Sequence, residues 1–427
     1  MTEMTQLRRL VCILVCLGMT AGPAVVRADD YGAARRELVD AYQASDFAAM
    51  RVAARKALVA RPGYPGALFN LALAQALDED PSAALETLQD LLSVGVDFGA
   101  ADVEEFAALK DLLEWAAYAD AVEKLYEPVG FSEVVATLST HDFIPEGIAA
   151  DADGRLYLGS IRHGQLVRLG DSPKILSTPA NGHWSVFGMR FDGDGGLWFA
   201  SAAVPQFLGA VETNGRSGVF RYDTVEGTIS NRAVLPISDE AQVLGDLAIA
   251  PDGLIYTADS LTGVLYRFNP GNASFERLVD RGVFGSPQGL VLDASGRFLY
   301  VADYIGGLYR VTRADGKVEK VRIQANVTDY GIDGLYRYGA ELVVIQNGIQ
   351  PNRVAALTLG EDGLSITAGR TIAANLPEFD EPTLGFVSDD DFYFVANSHW
   401  NRFDADNKLP EKLAGPIVLR VSLLPVQ

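Results

Sequence analysis

One pattern recurs six times between residues 145 and 398: two strand-like runs around a Gly/Asp turn, with a third run behind. The copies read "PEGIAADADGRLYLGS", "FGMRFDGDGGLWFAS", "GDLAIAPDGLIYTADS", "PQGLVLDASGRFLYVADY", "IDGLYRYGAELVVIQN" and "PTLGFVSDDDFYFVANS". Their turn positions, Gly154, Gly195, Gly253, Gly296, Gly339 and Asp389, are spaced 41, 58, 43, 43 and 50 residues apart. The third runs are "QLVRL", "GVFRYD", "GVLYRFN", "GLYRVT", "RVAALTL" and "IVLRVSL". A small sheet of this kind leaves its faces uncovered unless a neighbour stacks on it. Six copies at this period imply a six-bladed β-propeller over residues 129–427. The stretch "FSEVVATLST" before the first copy is expected to add a strand to the last blade and close the ring.

The preceding segment has another texture. Residues 29–128 are rich in Ala and Leu and poor in β-branched residues, which favours helices. A 34-residue register relates Leu38, Met50, Ala54 and Ala57 to Ala72, Ala84, Leu88 and Leu91. Asp80-Pro81 supplies an N-cap and a first-turn proline, and Asp102 with Glu105 has capping-box spacing. This period resembles the tetratricopeptide (TPR) repeat family, although Gln75 stands where that family commonly has an aromatic residue. The resemblance implies a small all-α TPR-like domain that docks a protein partner; a generic helical-hairpin array is the alternative.

Residues 1–28 read as a secretory signal. Arg8-Arg9 precedes the apolar run Leu10–Met19, and Val26-Arg27-Ala28 offers a cleavage site. The run is short for a membrane span, so an uncleaved anchor is the lesser reading. A periplasmic or secreted protein is expected, with no membrane span after cleavage. Both cysteines, Cys12 and Cys16, lie in the signal, which leaves the mature chain no thiol nucleophile, disulfide or cysteine metal site. Loss of Glu3, Arg8, Arg9 and Arg27 takes the net charge from −21 to −23. So acidic a surface argues against nucleic acid or anionic membrane as a partner.

Propeller topology places the chemistry. In each copy the start of the first strand and the end of the second share one face. Glu146, Asp246, Gln288 and Asp333 are therefore expected at one mouth of the channel, together with Asp259, Asp303, Asn347 and Asn397. Carboxylates gathered without a counter-ion raise one another's pKa. Calcium, or another divalent cation, suits such a ring of carboxylate and amide oxygens.

On these motifs, residues 142–425 resemble the senescence-marker-protein/gluconolactonase-like family of six-bladed propellers. That resemblance implies one axial divalent metal, usually calcium, and hydrolysis of lactones. The family's ligands are a Glu in the first repeat, Asn in the third and fourth, and Asp in the fifth. Glu146 in "PEGIA" and Asp333 in "IDGL" match, Gln288 replaces the fourth-repeat Asn, and Gly245 occupies the third position beside Asp246. The implied metal set is Glu146, Asp246, Gln288 and Asp333.

Other features are weighed against plainer roles. Asp259 and Asp303 suit backbone hydrogen bonding at the blade tops. "FDGDGG" at 191–196 aligns with hairpin turns, and "DADN" at 404–407 has Gly415 where an EF-hand loop needs a carboxylate. The four histidines, His141, His163, His183 and His399, fall in loops on the mouth face, and His183 and His399 are each followed by Trp. His183, His399 and Asp333 are the candidate catalytic residues, a His near neutral pKa being able to take a proton from attacking water. The long insertions Ser201–Ser217 and Trp400–Pro416 are the expected lids. No Gly-Xaa-Ser-Xaa-Gly elbow and no nucleotide-binding glycine loop accompany them. The leading expectation is an exported metal-assisted hydrolase acting on a lactone or small ester, a small molecule bound at the mouth. The alternative is a non-enzymatic binding or scaffold protein. A quinone-dependent sugar dehydrogenase is a third reading, disfavoured because its usual His and basic pocket are not evident.

Overall fold

The structure, a computed structural model, describes residues 30–209 and 213–424. The expected signal, with both cysteines, lies outside the described residues. The chain divides into two compact units.

The helical unit runs through Leu91 and resumes over Gly99–Tyr118. Helices Asp30–Gln43, Phe47–Ala60, Pro65–Leu77 and Pro81–Ser93 follow one another through short turns. All eight residues of the 34-residue register are buried, so that spacing marks the inward-facing positions of four helices. Asp46 and Asp80 cap their helices by accepting from the Ala49 and Ala83 N–H groups. Gln75 is buried, with its side-chain amide 2.8 Å from the Thr87 hydroxyl. The capping box expected at Asp102 and Glu105 does not form. A 3-10 helix, Glu104–Asp111, starts after Val103 with no side-chain cap.

The propeller unit comprises Leu92–Phe98 and everything from Ala119. The early segment belongs here because it is bonded to the fifth blade: Arg353 donates to the Val94 and Gly95 carbonyls, and Asp97 N donates to Gln350 O. A boundary at 128/129 misses this, since the partners lie more than 250 residues apart.

Six separate sheets form the blades, five of four strands and one of five. Their inner strands are Pro145–Ala150, Ser185–Phe191, Leu244–Ile249, Pro287–Leu292, Ile332–Tyr338 and Gly385–Ser388. Each inner strand packs on the next, and the sixth packs back on the first. Ser132–Thr137 pairs antiparallel with Ile417–Ser422 as the outermost strand of blade six, so the ring closes with a strand from before the first blade, as the sequence implies. Apolar clusters fill the seams between blades, one of them running continuously through blades one, two and three. Val395 and Val418 of blade six, for instance, meet Ile148 and Leu158 of blade one.

One local irregularity builds the mouth. Five inner strands shift register at the same place, between Pro145 and Ile148, Val186 and Met189, Leu244 and Leu247, Pro287 and Leu290, and Ile332 and Leu335. Each bulge contains a glycine, and at Gly147, Gly188 and Gly289 the next blade's backbone comes into close contact. A Cβ on Gly289 would stand 2.5 Å from Leu335 N and 2.6 Å from Asp333 O, both rigid backbone atoms. Gly289→Ala is therefore expected to cost about 1–3 kcal/mol in urea unfolding. An unchanged midpoint would contradict this blade spacing.

Candidate functional site

The five bulges and the entry to the sixth inner strand place six equivalent residues around the mouth: Glu146, Phe187, Gly245, Gln288, Asp333 and Thr383. The first four precede their turn residue by eight positions, and Asp333 and Thr383 precede theirs by six. Glu146, Thr383 and Asp333, from blades one, six and five, form a bridge. The Thr383 hydroxyl lies 3.0 Å from Glu146 Oε1 and 2.9 Å from Asp333 Oδ2. Trp400 Nε1 donates to Glu146 Oε2 at 2.6 Å, and Asn347 Nδ2 donates to Asp333 Oδ2 at 2.7 Å. Glu146 and Thr383 are buried, whereas Asp333, Gln288 and Asn347 are partly exposed and form the open side of the cup.

Burial is the main cause of unusual acidity here. It pushes Asp333 up to about 6, against the hydrogen bonds from Thr383 and Asn347. Burial, then the charge of Asp333, holds Glu146 well above the usual carboxylate range. Glu381, at the base of the sixth-blade insertion, is raised by burial to about 7, with Asp333 and Asp380 adding to the effect. Its carboxylate accepts from Asn401 N at 2.7 Å.

The two expected lids meet. Gln206 Nε2 donates to Asn407 Oδ1 at 3.0 Å, and Arg162 donates to the Gln206 and Asn407 carbonyls. Trp400 lies near-parallel to Phe187, with centroids 6.5 Å apart, and Phe403 sits beneath the Arg162 guanidinium. This apolar wall roofs the Glu146 side.

Asp246 is not brought to the mouth. In blades one, two, four and five a mouth residue is followed by glycine: Glu146-Gly147, Phe187-Gly188, Gln288-Gly289 and Asp333-Gly334. Blade three inverts the pair as Gly245-Asp246. The glycine faces the mouth, a Cβ there falling 3.5 Å from Gln288 Oε1, and the carboxylate turns into the space that Gly188 leaves open. Asp246 is 1% exposed and pairs with Arg190 at 3.1 Å. Burial still raises its pKa, with Arg190 opposing the shift. Arg190 in turn lies 5.2 Å from the Tyr336 ring centroid. Those two residues come from the inner strands of opposite blades, so the contact spans the axis below the mouth.

The histidines are likewise placed away from the bridge. His183 is buried against the rings of Phe199 and Phe220, with Nε2 2.8 Å from Ser177 Oγ and Nδ1 3.1 Å from Trp184 O. Burial pushes its pKa down to about 4, so the ring is neutral and both nitrogens are engaged. It packs blade two and offers no base to the mouth. His399, at φ 62°, is buried under the sixth-blade insertion between Asn397, the Ala414 carbonyl and Asp380. It positions the turn that carries Trp400. His163 pairs with Asp142, and His141 is exposed.

Asp259 and Asp303 hold loops. Asp259 accepts from the Val243, Leu261 and Thr262 N–H groups, and Asp303 from Gly285, Ser286 and Ile305. Asp192 and Asp404 likewise tie hairpin turns. Sequence reasoning named Asn347 without a role and missed Thr383, Glu381 and Arg190. The six-residue offset from the turn, shared with Asp333, is the signal that points to Thr383.

The implied calcium set is not assembled as expected: Asp246 is turned away and blade three offers only Gly245, which leaves Glu146, Gln288 and Asp333 at the mouth. The ion takes six to eight oxygens. Both Glu146 oxygens face an O–H or N–H group and Asp333 Oδ2 faces two, while Gln288 donates through Nε2 to Ser286 Oγ with Oε1 toward Gly245, and Asn347 Oδ1 is buried with no hydrogen-bond partner. Among the described residues no group of three or more His, Cys, Asp or Glu side chains is arranged to hold a metal ion.

Residues 136–169, from the end of the ring-closing strand through most of the first blade, match the family model described as "Strictosidine synthase-like, N-terminal". No curated protein is significantly similar in sequence. Among solved structures, the chain is similar to virginiamycin B lyase from Staphylococcus aureus at 14% identity, with 68% of this chain and 99% of that one covered and a TM-score of 0.47. It is similar to a calcium-binding regucalcin from Agrobacterium tumefaciens at 16% identity, covering 68% and 93%, with a TM-score of 0.48. A PQQ-bound aldose sugar dehydrogenase from Streptomyces coelicolor stands at 14% identity, 68% and 98% coverage and a TM-score of 0.46. These proteins differ in their chemistry, and likenesses this distant transfer no activity. The six-bladed fold rests on the chain's own strand order.

Proposed function

We propose that the chain is a hydrolase of a lactone or small ester, working at the axial mouth with Asp333 as general base. The observation that carries this reading is the Glu146–Thr383–Asp333 bridge, half-open on the Asp333 side and walled by Phe187 and Trp400 on the other. Asp333 takes a proton from water as the water oxygen bonds to the carbonyl carbon. The carbon–oxygen bond to the leaving group then breaks, and the proton passes from Asp333 to the departing alkoxide. Gln288 Nε2 spends one hydrogen on Ser286 and keeps the other for the carbonyl oxygen. Acid–base assistance of this kind contributes about 10²–10⁴-fold. The reading takes the chain as exported and its helical unit as a docking module for a protein partner.

A panel of lactones and aryl esters tests the proposal, with kcat/KM followed against pH. Because Asp333 is raised to about 6, its base form gains population as pH rises through that value. Activity should climb between about pH 5 and 7 and then level off. A profile flat across that range would remove Asp333 as the base. The capping of Glu146 by both Thr383 and Trp400 favours one second reading, a binding protein without turnover. Saturable ligand binding with no hydrolysis would select it.

A further inference from the structure

Asn347 reaches the mouth from the loop that links the second and third strands of blade five, Glu341–Gln346 and Arg353–Leu359. Its Nδ2 donates to Asp333 Oδ2 at 2.7 Å and to the Pro382 carbonyl at 3.0 Å, while its Oδ1 has no hydrogen-bond partner. With one end of the amide unbound, the placement of this donor depends on what fixes loop 347–352. Part of the fixing is local. Asn352 Nδ2 donates to the Asn347 and Ile349 carbonyls, and Gly348 N donates to Gly331 O. The rest comes from far away in the sequence. Gln346 and Arg353 face each other across the base of the loop, and Arg353 Nε donates to Gln346 Oε1 at 2.7 Å. The same guanidinium donates to Gly95 O at 3.0 Å and to Val94 O at 3.3 Å, while Asp97 N donates to Gln350 O, near the loop's tip, at 2.8 Å. Segment Leu92–Phe98, which interrupts the helical unit between Leu91 and Gly99, therefore grips both the base and the tip of the loop.

The segment is itself pinned. Val96 and Asp97 are buried, and the Tyr126 hydroxyl lies 3.3 Å from Asp97 O. Arg353 is 7% exposed, and the bonds just named go to neutral oxygens. If the two carbonyls withdrew, a buried cation would be left short of acceptors, so segment and loop stay together. Gly95 suits the contact. Its φ is 72°, and a Cβ there would stand 2.5 Å from Arg353 Nη1.

We propose that Leu92–Phe98 is a positioning strap for the mouth: through Arg353 and Gln350 it holds loop 347–352 so that Asn347 Nδ2 stays on Asp333. Arg353 and Gly95 are positioning residues, and neither is one of the mouth residues. The strap's role concerns where Asn347 stands and holds whether or not the hydrolase reading does.

Nuclear magnetic resonance of the full chain labelled with 15N-asparagine tests it without a substrate. The side-chain amide pair of Asn347 is assigned by its loss in Asn347→Asp. Gly95→Ala pushes the strap off the guanidinium, and Arg353→Met removes the guanidinium itself. In both variants the Asn347 pair is expected to shift, while the pairs of Asn231 and Asn272, in blades two and three, stay in place. Hydrogen exchange at the Gly348 N–H should quicken by about tenfold or more, the effect of a locally loosened loop. A strap that only added stability would lower the unfolding midpoint and leave the native Asn347 pair where it is. That result in folded Gly95→Ala would overturn the proposal, and it decides alone if Arg353→Met does not fold. Failure to hydrolyse any ester would leave these results untouched, so the two readings fail separately.

Discussion

Asp333→Asn is expected to abolish most activity while making the protein more stable above neutral pH. The loss follows from removing the base: kcat/KM should fall by about 10²–10⁴-fold. The gain follows from linkage. An ordinary aspartate titrates near 3.9, whereas burial raises Asp333 to about 6. Between those values the folded chain keeps a proton that the unfolded chain has released. The stability this group contributes is therefore full below about pH 4 and is lost as pH rises through 6. Glu381, raised to about 7, has the same sign and extends the decline to about pH 7. His183, pushed down to about 4, works in the opposite direction between about pH 4 and 6.5, and it does so equally in wild type and variant. Asparagine removes the charge and keeps an oxygen for the Asn347 donor. Urea unfolding at pH 8 should show the variant about 3 kcal/mol more stable, from about 1.4 kcal/mol per pKa unit. At pH 4 the difference should vanish. A variant less stable at pH 8 would contradict the placement of a strained carboxyl at the mouth.

The second large effect lies one layer down. Asp246 is buried with only Arg190 as counter-charge, and its Oδ1 has no hydrogen-bond partner. Arg190→Met leaves that carboxyl group alone and should cost about 3–5 kcal/mol. Adding Asp246→Asn to the same chain removes the orphaned charge and should recover most of the loss, since a neutral pair in this space has no ion to desolvate. Chemical unfolding of the wild type, the single variant and the double variant measures both steps. If the double variant is as unstable as the single, Arg190 contributes packing across the axis against Tyr336 and the ion pair is incidental.

How far the sequence alone reaches depends on what kind of contact is asked for. The blades are legible because a strand–turn–strand unit with Gly154, Gly195, Gly253 or Gly296 at its turn is a local pattern, and six of them admit few closures. Ring closure by Ser132–Thr137 is legible for the same reason, since blade six is otherwise one strand short. The Leu92–Phe98 segment is not, because the guanidinium of Arg353 holds it over a separation of more than 250 residues. At the mouth, position in the repeat suffices for Glu146, Gln288 and Asp333. It fails at Gly245-Asp246, where inverting two residues turns a carboxylate from the channel into the seam between blades. It fails again for His183 and His399. A loop residue is expected to be solvated, yet His183 packs against Phe199 and Phe220, and the insertion carrying Trp400 folds over His399. Thr383 escapes residue-type reasoning altogether. A threonine has no charge to draw attention, and its importance comes from standing between two groups that do.

The most direct test of the account is hydrolysis of the lactone and aryl-ester panel by chelator-treated protein kept in EDTA, with Asp333→Asn in parallel. The account predicts turnover that EDTA leaves unchanged and that the variant loses by at least about 100-fold. Turnover that the variant retains, or that appears only when calcium is restored, would contradict it.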